Sequence, residues 1–272
     1  MKNIWKTSIV ILGAGDRGTA IALRLFRSGF SPILMELEKP TDLHYPRTFS
    51  DAVYRGEKII DNIVCELIPD SVNDNNLLTN IIEIQNNRKV PVVTGNSGKL
   101  LDKVKPDVLI DCRGNFRDSD DFIWSDFPYY VSTNDACKVG KDAHCVIGSH
   151  GLEIKPGMTE HVTGRPSAKE NIINSPIEGV FISASQIGQN INEGQEAGEI
   201  NGIAIQSPVH GILSGLLHSG HFVFPRQPLF EVISERKFNS DVKMVPPENY
   251  MIAGGILEVV LGHLSSSGEY GV

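Results

Sequence analysis

Hydrophobic and polar positions along this chain follow two different periods, and the change between them divides it. The apolar run Ile9 to Leu12 predicts a buried strand. Ala20, Leu23 and Phe26, joined by Ile21 and Leu25, recur at helical spacing, and the pattern stops at Ser28-Gly29, a glycine end signal. A second apolar run, Ile33 to Met35, ends at Glu36. Further strands are predicted over 59–67, 90–93, 108–111 and 129–133, with a helix over 76–85. Strands alternating with helices predict a parallel sheet, so the N-terminal part reads as a Rossmann-like α/β domain over 1–130. Near the C-terminus, apolar residues 256, 257, 260 and 261 fit one face of a helix, expected to return to the first domain as part of 236–272.

Between these parts lies an internal repeat. Residues 175–200 align without gaps to 207–232, an offset of 32. Ser175-Pro176 matches Ser207-Pro208, Gly179 matches Gly211, Gly188 matches Gly220, Gln195 matches Gln227 and Glu199 matches Glu231. Two copies of a short-strand, glycine-turn unit predict a compact β domain over 171–235, reached through a connecting segment, 131–170. The pattern resembles the barrel-sandwich fold of biotinyl and lipoyl carrier domains. In those domains the modified lysine sits on the hairpin between the halves. Here that hairpin is Ile200-Asn201-Gly202-Ile203, with a strong two-residue turn signal and no lysine between Lys169 and Lys237. Neither biotin nor lipoate can be attached there. The expected fold class is therefore α/β, a Rossmann-like parallel sheet domain followed by a small all-β barrel-sandwich domain.

The strand-turn-helix at the N-terminus carries the candidate chemistry. Gly13-Ala14-Gly15-Asp16-Arg17-Gly18 matches G-x-G-x-x-G between a strand and a helix. Gly13 permits a tight turn, Gly15 lets a pyrophosphate approach the backbone, and Gly18 lets the helix lie close to the strand. The helix N-terminus offers N–H groups to an anion. Glu36, or alternatively Glu38, is placed to accept ribose hydroxyls; either carboxylate repels a 2′-phosphate and favours NAD over NADP. Asp16 sits in the turn where a phosphate would lie, either offset by Arg17 or acting as a helix cap. Arg113, at the carboxyl end of the 108–111 strand, is a further anion contact. The same turn equally fits a scaffold without a ligand.

Composition narrows the partners. Of 272 residues, 25 are basic and 33 acidic, a net charge of −8 that disfavours nucleic acid and anionic membranes. No apolar run reaches the roughly 18 residues of a membrane span. The four cysteines, Cys65, Cys112, Cys137 and Cys145, form no C-x-x-C pair and fit a reducing cytoplasm. Cys137, His144, Cys145 and His150 are zinc-type residues at a spacing that matches no zinc pattern, so no metal site is expected.

Read end to end, the chain resembles the YqeB family, accessory proteins of a selenium-dependent molybdenum hydroxylase system. The resemblance rests on Gly13-Ala14-Gly15-Asp16 with Ala20 and Arg24-Leu25, and on Met35-Glu36 with Pro40-Thr41. It continues through Phe49-Ser50-Asp51-Ala52-Val53-Tyr54 with Gly56, Gly140, Asp142 and His144 with Val146-Ile147, and Thr163-Gly164 with Pro166. The β repeat and Gly254-Gly255-Ile256-Leu257-Glu258 close it. The chain departs from the family pattern at Cys112, at 133–136 and at Gly148-Ser149. The resemblance, shared distantly with the XdhC proteins in the first half, implies a cytoplasmic maturation factor. Such a factor would hold a (di)nucleotide or a molybdopterin dinucleotide-like ligand and act on a molybdenum hydroxylase subunit. Two alternatives stand beside it, an NAD-dependent oxidoreductase and a non-catalytic scaffold that docks a partner protein. No catalytic residue set emerges from these residues.

Overall fold

The computed structural model of the chain describes residues 2–69, 75–113, 123–148, 151–155, 158–160, 171–234, 242, 244–266 and 270–271; of residues 2, 151–155, 158–160 and 270–271 it describes the backbone. The chain divides into two compact units. Met1–Glu38, Thr48–Pro166 and Pro246–Val272 form the first; Lys39–Arg47 and Ser167–Val245 form the second.

In the first unit, β1 (Lys2–Asn3) pairs in parallel with the terminal strand β20 (Tyr270–Gly271). The remaining strands are β2 (Ile9–Leu12), β3 (Ile33–Glu36), β4 (Glu57–Ile60), β5 (Ile63–Leu67), β6 (Val90–Thr94) and β7 (Val108–Asp111). They are followed by β8 (Tyr129–Ser132), β9 (Cys145–Gly148), β10 (Gly151–Lys155) and β11 (Met158–Glu160). These build one ten-stranded sheet in the order β11-β10-β9-β8-β7-β2-β3-β6-β5-β4. Its helices are α1 (Asp16–Arg27), α2 (Ala52–Arg55), α3 (Leu77–Asn86), α4 (Ser97–Val104) and α5 (Pro247–Ser266). Central strands β2 and β7 are buried at every position, and apolar at every position but Asp111, as expected of strands covered on both faces.

The expected fold class is corrected by this topology. The sheet is mixed: β4 runs antiparallel to β5, and β10 runs antiparallel to both β9 and β11. The predicted strand over 59–67 is two strands joined by Asp61-Asn62. Both turn residues have positive φ (+50° and +63°), so the chain reverses where a parallel reading carries straight on. Nor is the second unit the expected barrel-sandwich; it consists of two separate four-stranded antiparallel sheets.

Helix α1 buries most of its length, Gly18 to Leu25 apart from Arg24, between β2, β3 and α5. Helix α5 starts at Pro247, whose fixed φ and missing N–H suit a first helical position. Its buried stripe runs through Ile252, Ile256, Val260 and Leu264, so residues 257 and 261 of the predicted face are only half-buried. No helix among the described residues is long and apolar enough to cross a membrane.

The second unit contains β12 (Ile172–Asn174), β13 (Gly179–Ile182), β14 (Asn190–Ile191), β15 (Glu196–Ile200), β16 (Ile203–Gln206), β17 (Gly211–Leu216), β18 (His221–Val223) and β19 (Pro228–Ile233). One sheet has the order β12-β19-β17-β14, the other β16-β15-β13-β18. Shifting every residue by 32 converts one into the other. The copies exchange strands: β13 of the first pairs with β18 of the second, and β17 of the second with β14 of the first. Single hydrogen bonds obey the same operation. Gly188 N donates to Leu213 O and Gly220 N to Phe181 O, both at 2.7 Å. Ser175 N donates to Gln227 O at 2.8 Å and Ser207 N to Gln195 O at 2.9 Å. Phe181, Ile200, Leu213 and Val232 meet in one core cluster. The Asn201-Gly202 turn (φ +53° and +78°) joins β15 to β16 as a two-residue hairpin.

Candidate functional site

The glycine turn follows β2 directly. Gly13 adopts φ +92°, a conformation that favours glycine, and its N–H donates to Met35 O at 2.8 Å. Ala14 N donates to Glu36 Oε1 at 2.9 Å, and Ala14 O accepts from Ser50 N at 3.0 Å and from Thr19 Oγ1 at 2.9 Å. Gly15 is the N-cap of α1 and supplies no side-chain cap, while its carbonyl accepts from Thr19 N at 2.8 Å. Asp16 is the first helical residue and not the cap. Gly18 lies directly under the turn: a Cβ there would stand 1.9 Å from Gly13 O.

The predicted site residues converge at the carboxyl ends of β2, β3, β7 and β8. Glu36 is held by two backbone donors, Ala14 N and, at 2.6 Å, Leu37 N. A ribose hydroxyl would have to join those donors on the same carboxylate. Arg17 Nη1 donates to Thr133 O at 2.5 Å. Arg113 folds back on Asp111, through Nε to Oδ1 at 3.1 Å and Nη2 to Oδ2 at 2.8 Å, while its stem packs beside Gly13.

Asp111 is a site residue that the sequence does not single out. Its carboxylate is buried, takes Arg113, and accepts from Tyr130 OH at 2.9 Å. The only sequence hint is a carboxylate ending an otherwise apolar strand. Segment Thr48–Asp51 is a second feature read only through the family resemblance. Phe49 N and Ser50 N both donate into the turn, the first to Thr19 Oγ1 at 2.8 Å. Behind it the buried Asp51 carboxylate takes Lys58 at 2.7 Å and Arg55 at 2.8 Å.

The cysteines and histidines nearby are tied into the fold. Burial, then the charge of Asp111, pushes the Cys112 thiol up to about 12, too high for a nucleophile. Cys137 Sγ lies 3.0 Å from Ser132 Oγ. His144 Nδ1 accepts from Tyr130 N at 3.0 Å, so that nitrogen carries no proton. Its ring packs edge-on to Trp124, and Tyr129 stacks on His263 at 4.1 Å. Burial lowers the pKa of both histidines and keeps them neutral. His150, Gly114 and the Thr163-Gly164-Pro166 stretch lie outside the described residues. No group of three metal-type side chains occurs among the described residues.

No family model matches the chain. It is 27% identical over 266 residues to the uncharacterized protein YqeB of Escherichia coli (strain K12), which covers 93% of this chain and 47% of YqeB. The chain is a relative of YqeB. It spans about half the length of that curated relative. Among solved structures it aligns to a succinylglutamate desuccinylase/aspartoacylase from Rhodobacter sphaeroides, at 9% identity and a TM-score of 0.24, over 78% of this chain and 61% of that one. It also aligns to an aspartoacylase family protein from Mesorhizobium loti, at 9% identity and a TM-score of 0.25, over 83% and 84%.

Proposed function

We propose that the first unit holds a (di)nucleotide, with its diphosphate at the N-terminus of α1, and that the chain is a ligand-handling accessory protein. The observation that carries this reading is the start of α1. Gly15 caps it without a side chain, so the first-turn N–H groups meet no capping oxygen from that residue. Its neighbours supply a carboxylate anchor, Glu36, and two guanidinium groups, Arg17 and Arg113, at one crevice. Asp111 and Arg113 form a neutral pair, so an incoming anion would compete with Asp111 for Arg113. The cellular setting implied by the YqeB resemblance is maturation of a molybdenum hydroxylase, with a molybdopterin dinucleotide-like ligand as the cargo. That setting is supported by sequence similarity to a protein twice this length.

Native mass spectrometry of freshly isolated protein tests the reading. A released species at dinucleotide or pterin-dinucleotide mass is expected, and it should be missing from Gly15→Asp, whose carboxylate would occupy the anion's place. An apo mass, with no rise in melting temperature on adding NAD, FAD or a cytidine dinucleotide, overturns it.

A further inference from the structure

The two copies in the second unit are related residue by residue, yet among the described residues only one is covered. In the second copy every residue of β17 is buried, and so is Leu217. The cover is the chain's own segment Lys39–Arg47. Leu216 N donates to Leu43 O at 2.8 Å, and His44 Nε2 lies 2.9 Å from Glu231 Oε2. Ser214 Oγ donates to the same carboxylate oxygen at 2.9 Å, and the Tyr45 ring lies on His218 at 4.0 Å.

Subtracting 32 gives the matching place in the first copy. Ser183 stands for Gly215, Ala184 for Leu216 and Glu199 for Glu231. Here the strand alternates: Val180 is 40% and Ile182 44% exposed. A cavity of about 320 Å³ opens over it, lined by Ile182, Ser183, Ala184, Gln189, Glu196 and Glu199. Among the described residues, no side chain pairs with Glu199 and no backbone carbonyl accepts from Ala184 N. The groove therefore presents the donor and the carboxylate that its symmetry mate uses to hold Leu43 and His44.

We infer that this groove receives an extended segment of a partner polypeptide in which an aliphatic residue is followed by lysine or arginine. The aliphatic residue's carbonyl accepts from Ala184 N, and the following cation reaches Glu199 and Glu196. Charge complementarity selects a cation, and the floor selects a slender one. Gly215 leaves room for the covering segment, since a Cβ there would lie 3.0 Å from both His44 Nε2 and Leu43 Cβ and 3.2 Å from His44 Cδ2, so two of its three nearest atoms belong to the imidazole. Ser183 carries that Cβ, anchored through Oγ to Ala197 O at 2.6 Å, so an imidazole ring is crowded where a lysine stem passes. The recognition mode is backbone hydrogen bonding plus side-chain selection at one position. This inference is independent of the glycine turn.

The probe is a synthetic peptide of residues 39–47 carrying His44→Lys, titrated into the full chain by calorimetry, with hydrogen exchange to locate it. Binding with added protection at 182–199 is expected. Glu199→Gln should weaken it by about fivefold or more, the loss of a charge-assisted contact, while Glu178→Gln, outside the groove, leaves it unchanged. Ser183→Gly should bring the unaltered His44 peptide up to the affinity of the lysine form. Absence of binding, binding indifferent to Glu199→Gln, or protection at 211–217, where the peptide would only displace the chain's own segment, overturns the proposal.

Discussion

Gly18 sits beneath Gly13 so closely that a Cβ on the former would stand 1.9 Å from the carbonyl oxygen of the latter. The obstacle is backbone at the end of a buried strand, and it cannot swing aside as a side chain would. Gly18→Ala should therefore cost about 2 kcal/mol or more, through overpacking. Denaturant unfolding followed through the tryptophans of the first unit, Trp5 and Trp124, measures it; an unchanged midpoint would show that the helix relaxes freely away from the turn.

Glu231 gives the second unit a pH dependence of known sign. Burial alone would raise its pKa, but the hydrogen bond and charge of His44, then Ser214 and Arg47, outweigh burial and hold the carboxyl below its ordinary value of 4.5. A depressed carboxyl stabilises the fold fully above that ordinary value, and the contribution fades as pH falls through the folded-state pKa. Glu231→Gln should lower stability near neutral pH by about 1 to 2 kcal/mol. The gap from wild type should shrink as the solution is acidified below 4.5. Melting curves across that range would contradict the assignment if the gap stayed constant.

The Asp61-Asn62 turn has positive φ at both positions, a geometry in which glycine is the least strained second residue. Asn62→Gly should raise stability by about 0.5 kcal/mol, or leave it level if the entropy of the unfolded chain offsets the relief. A clear loss in a thermal melt would mean that the Asn62 side chain holds the hairpin.

With its pKa near 12, the Cys112 thiol should resist alkylation in the native protein at mildly alkaline pH. Cys65, Cys137 and Cys145 are buried and should resist it as well. Iodoacetamide labelling read by mass should modify all four cysteines only after denaturant is added; fast native labelling of Cys112 would contradict its environment.

What the sequence made legible was local. The runs at Ile9 to Leu12 and 108–111 are strands, the 76–85 pattern is α3 within a residue or two, and Asn201-Gly202 turns where its residue types say it should. The 32-residue offset carries through to individual hydrogen bonds. The failures were of two kinds. Asp61-Asn62 lacks the glycine that makes such a turn conspicuous, so by pattern alone the hairpin reads as one strand and the sheet as parallel. The pairing of His44 with Glu231 spans 187 positions. No periodicity reveals that a nine-residue segment near the N-terminus belongs to the second unit. The crevice stands between these cases. Its glycines were plain, whereas the Asp111, Tyr130 and Arg113 cluster depends on strands brought together only by the sheet order.

The strand exchange in the second unit has a consequence for how such a structure can arise. Each copy lends two strands to the other's sheet, β12 and β14 to one and β16 and β18 to the other, so a lone 32-residue copy has no complete sheet of its own. Such a copy would order only by meeting its twin, at a rate set by concentration. Joining the twins through Asn201-Gly202 makes that encounter intramolecular, with a tether so short that the local concentration of each half is effectively fixed. Once joined, the halves no longer need to be identical, and each is at liberty to acquire its own cover, as the second has done with Leu43 and His44.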